Sequence, residues 1–226
     1  MSEFNKYATK HLDINSNTLH GYQKFQSVIP NITASVTPTI IEERQLNVAA
    51  MSVFDRLMMD RIIWCAGVVD DRMAIIVQAQ LLFLSQQDPD KTITMHIDSP
   101  GGCVKAGLSM VDVMSYIEAK IQTINTGMAA SMGSILLGAG YKGMRSSLKH
   151  SKTMLHQSSG GAIGNIVDAR ITMDEWEKTN KTLFELLGDY CGKTAKRVEK
   201  DAQRDLWLSA EEALEYGIID EVIGKK

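Results

Sequence analysis

The segment Gly127-Met128-Ala129-Ala130-Ser131-Met132-Gly133 carries one serine where a short apolar run, Ile121 to Thr126, passes into small residues and leucines. A strand handing over to a helix is expected there. A serine at a helix N-terminus sits among unpaired backbone N–H groups and the positive end of the helix dipole. Both favour negative charge, so an alkoxide or a tetrahedral oxyanion is stabilised at that position. A second glycine turn, Ser99-Pro100-Gly101-Gly102, lies one strand-helix unit upstream and offers further N–H donors. One exposed serine with two such turns points to acyl transfer.

A serine hydroxyl needs a base to take its proton. Of the five histidines, only His156 closes an apolar strand-like run, Thr153-Met154-Leu155, just ahead of Ser158-Ser159-Gly160-Gly161. A rigid element then holds the ring while its edge faces a loop. His11 and His20 fall in the polar N-terminal stretch, His150 in a polar turn, and His96 between Met95 and Ile97 on an expected strand. The imidazole in turn needs a carboxylate to fix its tautomer. Asp205 leads into the apolar run Leu206-Trp207-Leu208, where a carboxylate can be directed, but composition does not separate it from Asp98, Asp201 or Asp220. Each of these features has a plainer reading when taken singly: a helix-terminal serine, a tight turn, a satisfied strand histidine.

The elements that must carry these groups follow from periodicity. Arg61 to Ala66 reads as a buried strand, Met73 to Leu84 as a helix, Thr92 to Ile97 as a strand and Val104 to Ile117 as a helix. Ile121 to Thr126 and Ala129 to Leu137 repeat the pair. Such units imply parallel strands with helical crossovers, and loops at the strand C-termini build the site. Asn165 to Leu187 reads as a protruding helix with one sticky face, bearing Trp176, Leu183, Phe184, Leu186 and Leu187. Ser209-Ala210-Glu211-Glu212 is a capping box, Gly217 a helix stop, and Ile218 to Ile223 a final strand.

A chain of 226 residues, 44% of them hydrophobic, is long enough for one full core. Residues 1–36 are polar and read as a flexible leader or propeptide, with residues 37–226 as the folded domain. The net charge of −3 and the lack of a basic run argue against nucleic acid. Three scattered cysteines give neither a disulfide framework nor a metal site, which fits a reducing compartment. With no secretory signal and no stretch long and apolar enough to span a membrane, a cytoplasmic protein without membrane attachment is expected.

Several of these segments, in this order, resemble the proteolytic subunits of the Clp protease, the ClpP family. The resemblance rests on Gly127 to Gly133, Met154-Leu155-His156-Gln157, Arg204-Asp205 and Leu208 to Gly217, with Arg61-Ile62-Ile63, Ala79 to Leu84 and Ser99 to Gly102 in support. It covers about Pro38 to Ile223. It implies a serine endopeptidase with Ser131 as nucleophile, His156 as general base and Asp205 as the orienting carboxylate. The backbone N–H groups of Gly102 and Met132 match the oxyanion hole, and Gly101, Gln157, Gly160 and Gly161 fall in segments that bind extended substrate. It further implies an α/β, ClpP/crotonase-like spiral of repeated ββα units with a protruding handle helix, Asn165 to Leu187, whose apolar residues are buried between two stacked seven-membered rings.

The implied substrates are unfolded polypeptides, delivered by a partner AAA+ unfoldase that consumes ATP. No Gly-x-x-x-x-Gly-Lys-Ser/Thr pattern occurs, so this chain is expected to bind no cofactor itself. The chain departs from the family pattern at Ser158, where proline is common, at Gln203, where Asp or Glu is usual, and at Thr94 and His96, where aromatic residues usually line the docking pocket; Tyr116 keeps one aromatic position. These departures suggest a specialised unfoldase or mixed rings with a second ClpP-like subunit. Two other classes stay open: a weakly active or regulatory ring subunit, and a crotonase-like acyl-CoA hydratase or isomerase, which has no need of the triad.

Overall fold

The computed structural model describes residues 39–44, 47–161 and 165–224; the expected leader, residues 1–36, lies outside them. The chain divides after Val53 into two units. In the first, β1 (Thr39–Arg44) and β2 (Asn47–Ser52) form an antiparallel hairpin with Thr39 opposite Ser52 and Arg44 opposite Asn47. Sequence periodicity gave no sign of it.

The remaining elements run α1 (Val53–Met59), β3 (Ile62–Ala66), α2 (Asp71–Gln87), β4 (Ile93–Ser99), α3 (Val104–Tyr116), β5 (Ile121–Ala130), α4 (Met132–Gly138), β6 (Arg145–Leu148) and β7 (Lys152–Leu155). They continue with α5 (Ile166–Cys191), α6 (Ala195–Asp201), β8 (Leu206–Leu208), α7 (Ala210–Tyr216) and β9 (Glu221–Ile223). The expected α/β class is borne out. Strands β3, β4, β5, β6 and β9 lie side by side and parallel. Along β4, Ile93, Met95, Ile97 and Ser99 are buried while Thr94, His96 and Asp98 alternate outward, the period-two pattern of a strand covered on one face. Helix α2 buries Ala74, Val77, Leu81 and Leu84 at helical spacing and is capped by Asp70, whose carboxylate accepts the Met73 N–H at 2.8 Å.

The expected strand at Arg61 begins one residue later. Arg61 takes φ 63°, and its guanidinium donates to the carbonyls of Leu84, Asp88, Lys91 and Thr92, tying the end of α2 to the start of β4. A second arginine, the buried Arg145, donates through Nε to Asp220 at 2.8 Å and through Nη1 to the Tyr190 carbonyl at 2.8 Å, joining β6, the end of α5 and the approach to β9.

The feature that builds the site is β5, which is longer than expected and has two successive neighbours. Its first half pairs with β6, Thr123 to Asn125 opposite Arg145 to Ser147. Its second half pairs with β7, Met128 to Ala130 opposite Lys152 to Met154. Asn125 stands at the changeover, where its amide donates to the Lys152 carbonyl at 3.0 Å. On the other edge the register against β4 slips, from Ile97 opposite Asn125 to Ser99 opposite Ala129. Asp98 spans this bulge by accepting the Met128 N–H at 3.0 Å. The helix expected from Ala129 therefore begins only at Met132, and Ala129 and Ala130 are strand, because pairing on both edges satisfies their backbone.

Helix α5 extends past the predicted Leu187 to Cys191 and closes on Gly192 in the left-handed region. Its sticky face is turned differently from the expectation. Leu183, Phe184 and Leu187 are buried in the chain's own core, and Trp176 packs against Gly160, so these residues are not held in reserve for a partner ring. The exposed apolar residues of the helix are Ile166, Val167, Ile171 and Met173, nearer its N-terminus.

Candidate active site

Ser131 is the single residue between β5 and α4, and it takes φ 51° and ψ −120°. An L-residue rarely adopts that conformation, and a serine on so sharp a strand-to-helix turn is the arrangement that exposes a nucleophilic hydroxyl. The turn is fixed from two sides. The Ser131 N–H donates to the Met154 carbonyl of β7 at 2.9 Å, and Gly101 packs against its other flank. A Cβ at Gly101 would stand 2.6 Å from the Ser131 Cβ and 2.7 Å from the Ala130 carbonyl oxygen, so only glycine fits.

The glycine turn is itself pinned by Ser99, which the sequence reading passed over. The buried Ser99 hydroxyl donates to the Gly67 carbonyl at 2.6 Å and accepts the Gly101 N–H at 3.1 Å. The Gly101 carbonyl accepts the Val69 N–H, and the Cys103 N–H donates to the Val69 carbonyl. Gly101 thus has both backbone groups engaged and shapes the turn. The neighbouring Gly102 N–H makes no hydrogen bond among the described residues, and neither does the Met132 N–H at the start of α4. The two donors come from different parts of the chain, Met132 directly after Ser131 and Gly102 next to the Gly101 that packs against Ser131.

His156 follows β7 directly, as expected, and Asp205 immediately precedes β8. Antiparallel pairing sets Leu155 opposite Leu206, so the next residue on each strand falls together: His156 Nδ1 lies 3.2 Å from Asp205 Oδ1. The three other candidate carboxylates are engaged elsewhere. Asp98 takes the Met128 N–H, Asp201 pairs with Arg197 and accepts from Tyr216, and Asp220 holds Arg145.

With Nδ1 directed at Asp205, Nε2 is the imidazole nitrogen left for Ser131. Both side chains border one narrow cavity, together with Met132, Ser134, Ser158 and Leu183. The Ser131 hydroxyl makes no hydrogen bond among the described residues, a looseness common in substrate-free sites. On the open side of His156 a cleft of about 490 Å3 runs past Ser158, Gly160 and Trp176 to Gln203, Arg204 and Asp205.

Gln157 borders this cleft and donates its N–H to the Ala202 carbonyl at 3.2 Å; Gly161 faces open space. Residues 156–161 form no strand. Arg204 makes no ion pair among the described residues. No cluster of His, Cys, Asp or Glu among the described residues is arranged to hold a metal, and no described helix is long and apolar enough to cross a membrane.

A profile of the Clp protease family matches residues 44–226. An ATP-dependent Clp protease proteolytic subunit from Porphyromonas gingivalis is 49% identical over 225 residues, covering 100% of this chain and 99% of that one. Subunits of the same name from Bacteroides fragilis and Bacteroides thetaiotaomicron are 49% and 48% identical over 226 residues, and each alignment covers 100% of both chains.

Proposed function

The chain belongs to the Clp protease family, a family of serine peptidases, and from that premise we propose that it hydrolyses peptide bonds with Ser131, His156 and Asp205. The observation that carries the assignment is the register of β5, β7 and β8, which brings the ends of three strands together with these residues at adjacent positions. His156 takes the Ser131 proton as the hydroxyl attacks the peptide carbonyl. It then returns that proton to the leaving amine, and an acyl-enzyme remains on Ser131. Water, deprotonated by the same imidazole, completes hydrolysis. Asp205 keeps the Nδ1 proton in place throughout.

The Gly102 and Met132 N–H groups receive the oxyanion. Such donors contribute about 3 kcal/mol each where they meet charge only in the transition state. Gln157, Gly160 and Gly161 border the path of an extended peptide, with Gly101 shaping the turn behind the nucleophile.

The relatives are named as proteolytic subunits of an ATP-dependent protease, and this sequence has no phosphate-binding loop. ATP is therefore used by a separate AAA+ unfoldase, which threads unfolded chains into a chamber made of two stacked heptameric rings in the cytoplasm. The outer face of the sheet has more aromatic surface than Thr94 and His96 alone suggest. Trp64 stacks on His96 with ring centroids 4.7 Å apart, and Tyr116 is 80% exposed. That weakens the case for a specialised unfoldase.

A fluorophosphonate probe tests the assignment. Mass spectrometry is expected to find the adduct on Ser131, and His156→Ala to abolish it. A regulatory ring subunit is the second reading, favoured by the missing Ser131–His156 hydrogen bond; it requires assembled rings that stay unlabelled.

A further inference from the structure

Ser158 is held by three polar contacts to helix α5. Its hydroxyl accepts the Trp176 indole N–H at 2.6 Å and donates to Asn180 Oδ1 at 3.2 Å, while its backbone N–H donates to that same oxygen at 3.0 Å. Trp176 and Asn180 are four residues apart on α5 and so lie on one face of the helix. The indole also covers Gly160, where a Cβ would stand 2.7 Å from the ring. Residues 157–161 belong to no strand, and among the described residues their one further backbone tether is the bond from the Gln157 N–H to the Ala202 carbonyl. The segment's position beside His156 is therefore set largely by helix α5.

We propose that Ser158, Trp176 and Asn180 form a latch that holds segment 157–161 against α5 and so determines how tightly an extended peptide is bound beside His156. The proposal rests on the serine-peptidase reading, and these three are positioning residues that act through the segment. A peptide lying along the cleft binds more weakly when its wall is untethered, because part of the binding free energy goes into ordering five residues. A small electrophile that needs only Ser131, His156 and the oxyanion donors does not use that wall. The latch thus separates peptide affinity from intrinsic reactivity.

The test compares Trp176→Phe, Ser158→Ala and Ser158→Thr in the full-length assembled protein, using fluorogenic tetrapeptides for kinetics and a fluorophosphonate for the labelling rate at Ser131. Trp176→Phe removes the N–H and also the indole atoms that lie over Gly160, whereas Ser158→Ala removes both hydroxyl hydrogen bonds and leaves the indole in place. Each loss is expected to raise KM about three- to tenfold. In both, kcat and labelling rate stay within about twofold, and Ser158→Thr, which keeps the hydroxyl, restores KM. The double variant loses less than the sum of the two single effects, because both changes sever the Trp176–Ser158 bond. Unchanged KM, additive losses, or KM and labelling worsening together would overturn the latch. Absence of Ser131 labelling in the unaltered protein would bring down the peptidase reading instead, and the latch with it.

Discussion

Asp205 lies 3.2 Å from His156 Nδ1 while 60% of its own side chain stays open to solvent. The ring is itself only 22% exposed, so the pair is half in water and half in the site. Water and salt weaken such an interaction, and its direct electrostatic worth is small. Its larger effect is on the orientation of the ring.

From this geometry Asp205→Asn is expected to lower kcat by about 10- to 100-fold, against 1000-fold or more for His156→Ala, which removes the base outright. Added salt should narrow the difference between unaltered protein and Asp205→Asn. Steady-state peptide hydrolysis at two ionic strengths checks both statements.

Gly101→Ala is expected to abolish Ser131 labelling and to cost about 1–3 kcal/mol of stability. The residue takes φ 93°, and its new methyl would meet the Ser131 Cβ and the Ala130 carbonyl oxygen. Gly161→Ala is the control, since a Cβ there meets nothing within 4 Å. Denaturant unfolding and probe labelling of both variants read the outcome.

Asp220 makes stability fall at acid pH. Burial pushes its carboxyl up, but the Arg145 guanidinium and the backbone N–H groups of Arg145 and Gly143 outweigh it and hold the pKa below the ordinary 3.8. A carboxylate with a depressed folded-state pKa contributes stability above its ordinary value and loses it as pH falls through the folded one. The loss should therefore appear below about pH 4 in thermal melts. Asp220→Asn leaves the Arg145 side chain, only 4% exposed, without its counter-ion and should cost about 3–5 kcal/mol at neutral pH.

His96 adds a second pH effect in a higher window. Burial against Trp64 lowers its pKa below the ordinary 6.5, and Nδ1 is buried without a partner among the described residues. The folded state thus disfavours the imidazolium, and stability is lost as pH falls from 6.5 toward the folded pKa. His96→Gln should flatten that part of the pH–stability curve. A curve between pH 7 and 5 unchanged by the substitution would count against the effect.

Local chemistry was legible in the sequence because it is written in neighbouring residues. Ser131 at a strand-to-helix step, the glycines at 101 and 102, His156 at the end of an apolar strand and the capping box of Ser209 and Glu212 all depend on backbone conformation within a few positions. The structure finds each where the pattern placed it. Composition and spacing did not choose among four aspartates; only the family resemblance pointed to Asp205. Asp98, Asp201 and Asp220 are each taken up by partners between 4 and 77 residues away, and only the pairing of Leu155 with Leu206 turns Asp205 toward His156.

The same limit explains Trp176, Leu183 and Phe184. A helical stripe says that one face of α5 must be covered but not by what, and the chain's own core and the Ser158 loop cover it. The sequence by itself determined the fold class, the family and the kind of chemistry, because residue types and short-range spacing specify strands, turns and caps. Tertiary structure alone decided which carboxylate serves the histidine, how β5 divides between β6 and β7, and that Ser158 is tied to α5. Those depend on strand register and side-chain burial across tens of residues, where the free energy of packing a whole core outweighs any local preference.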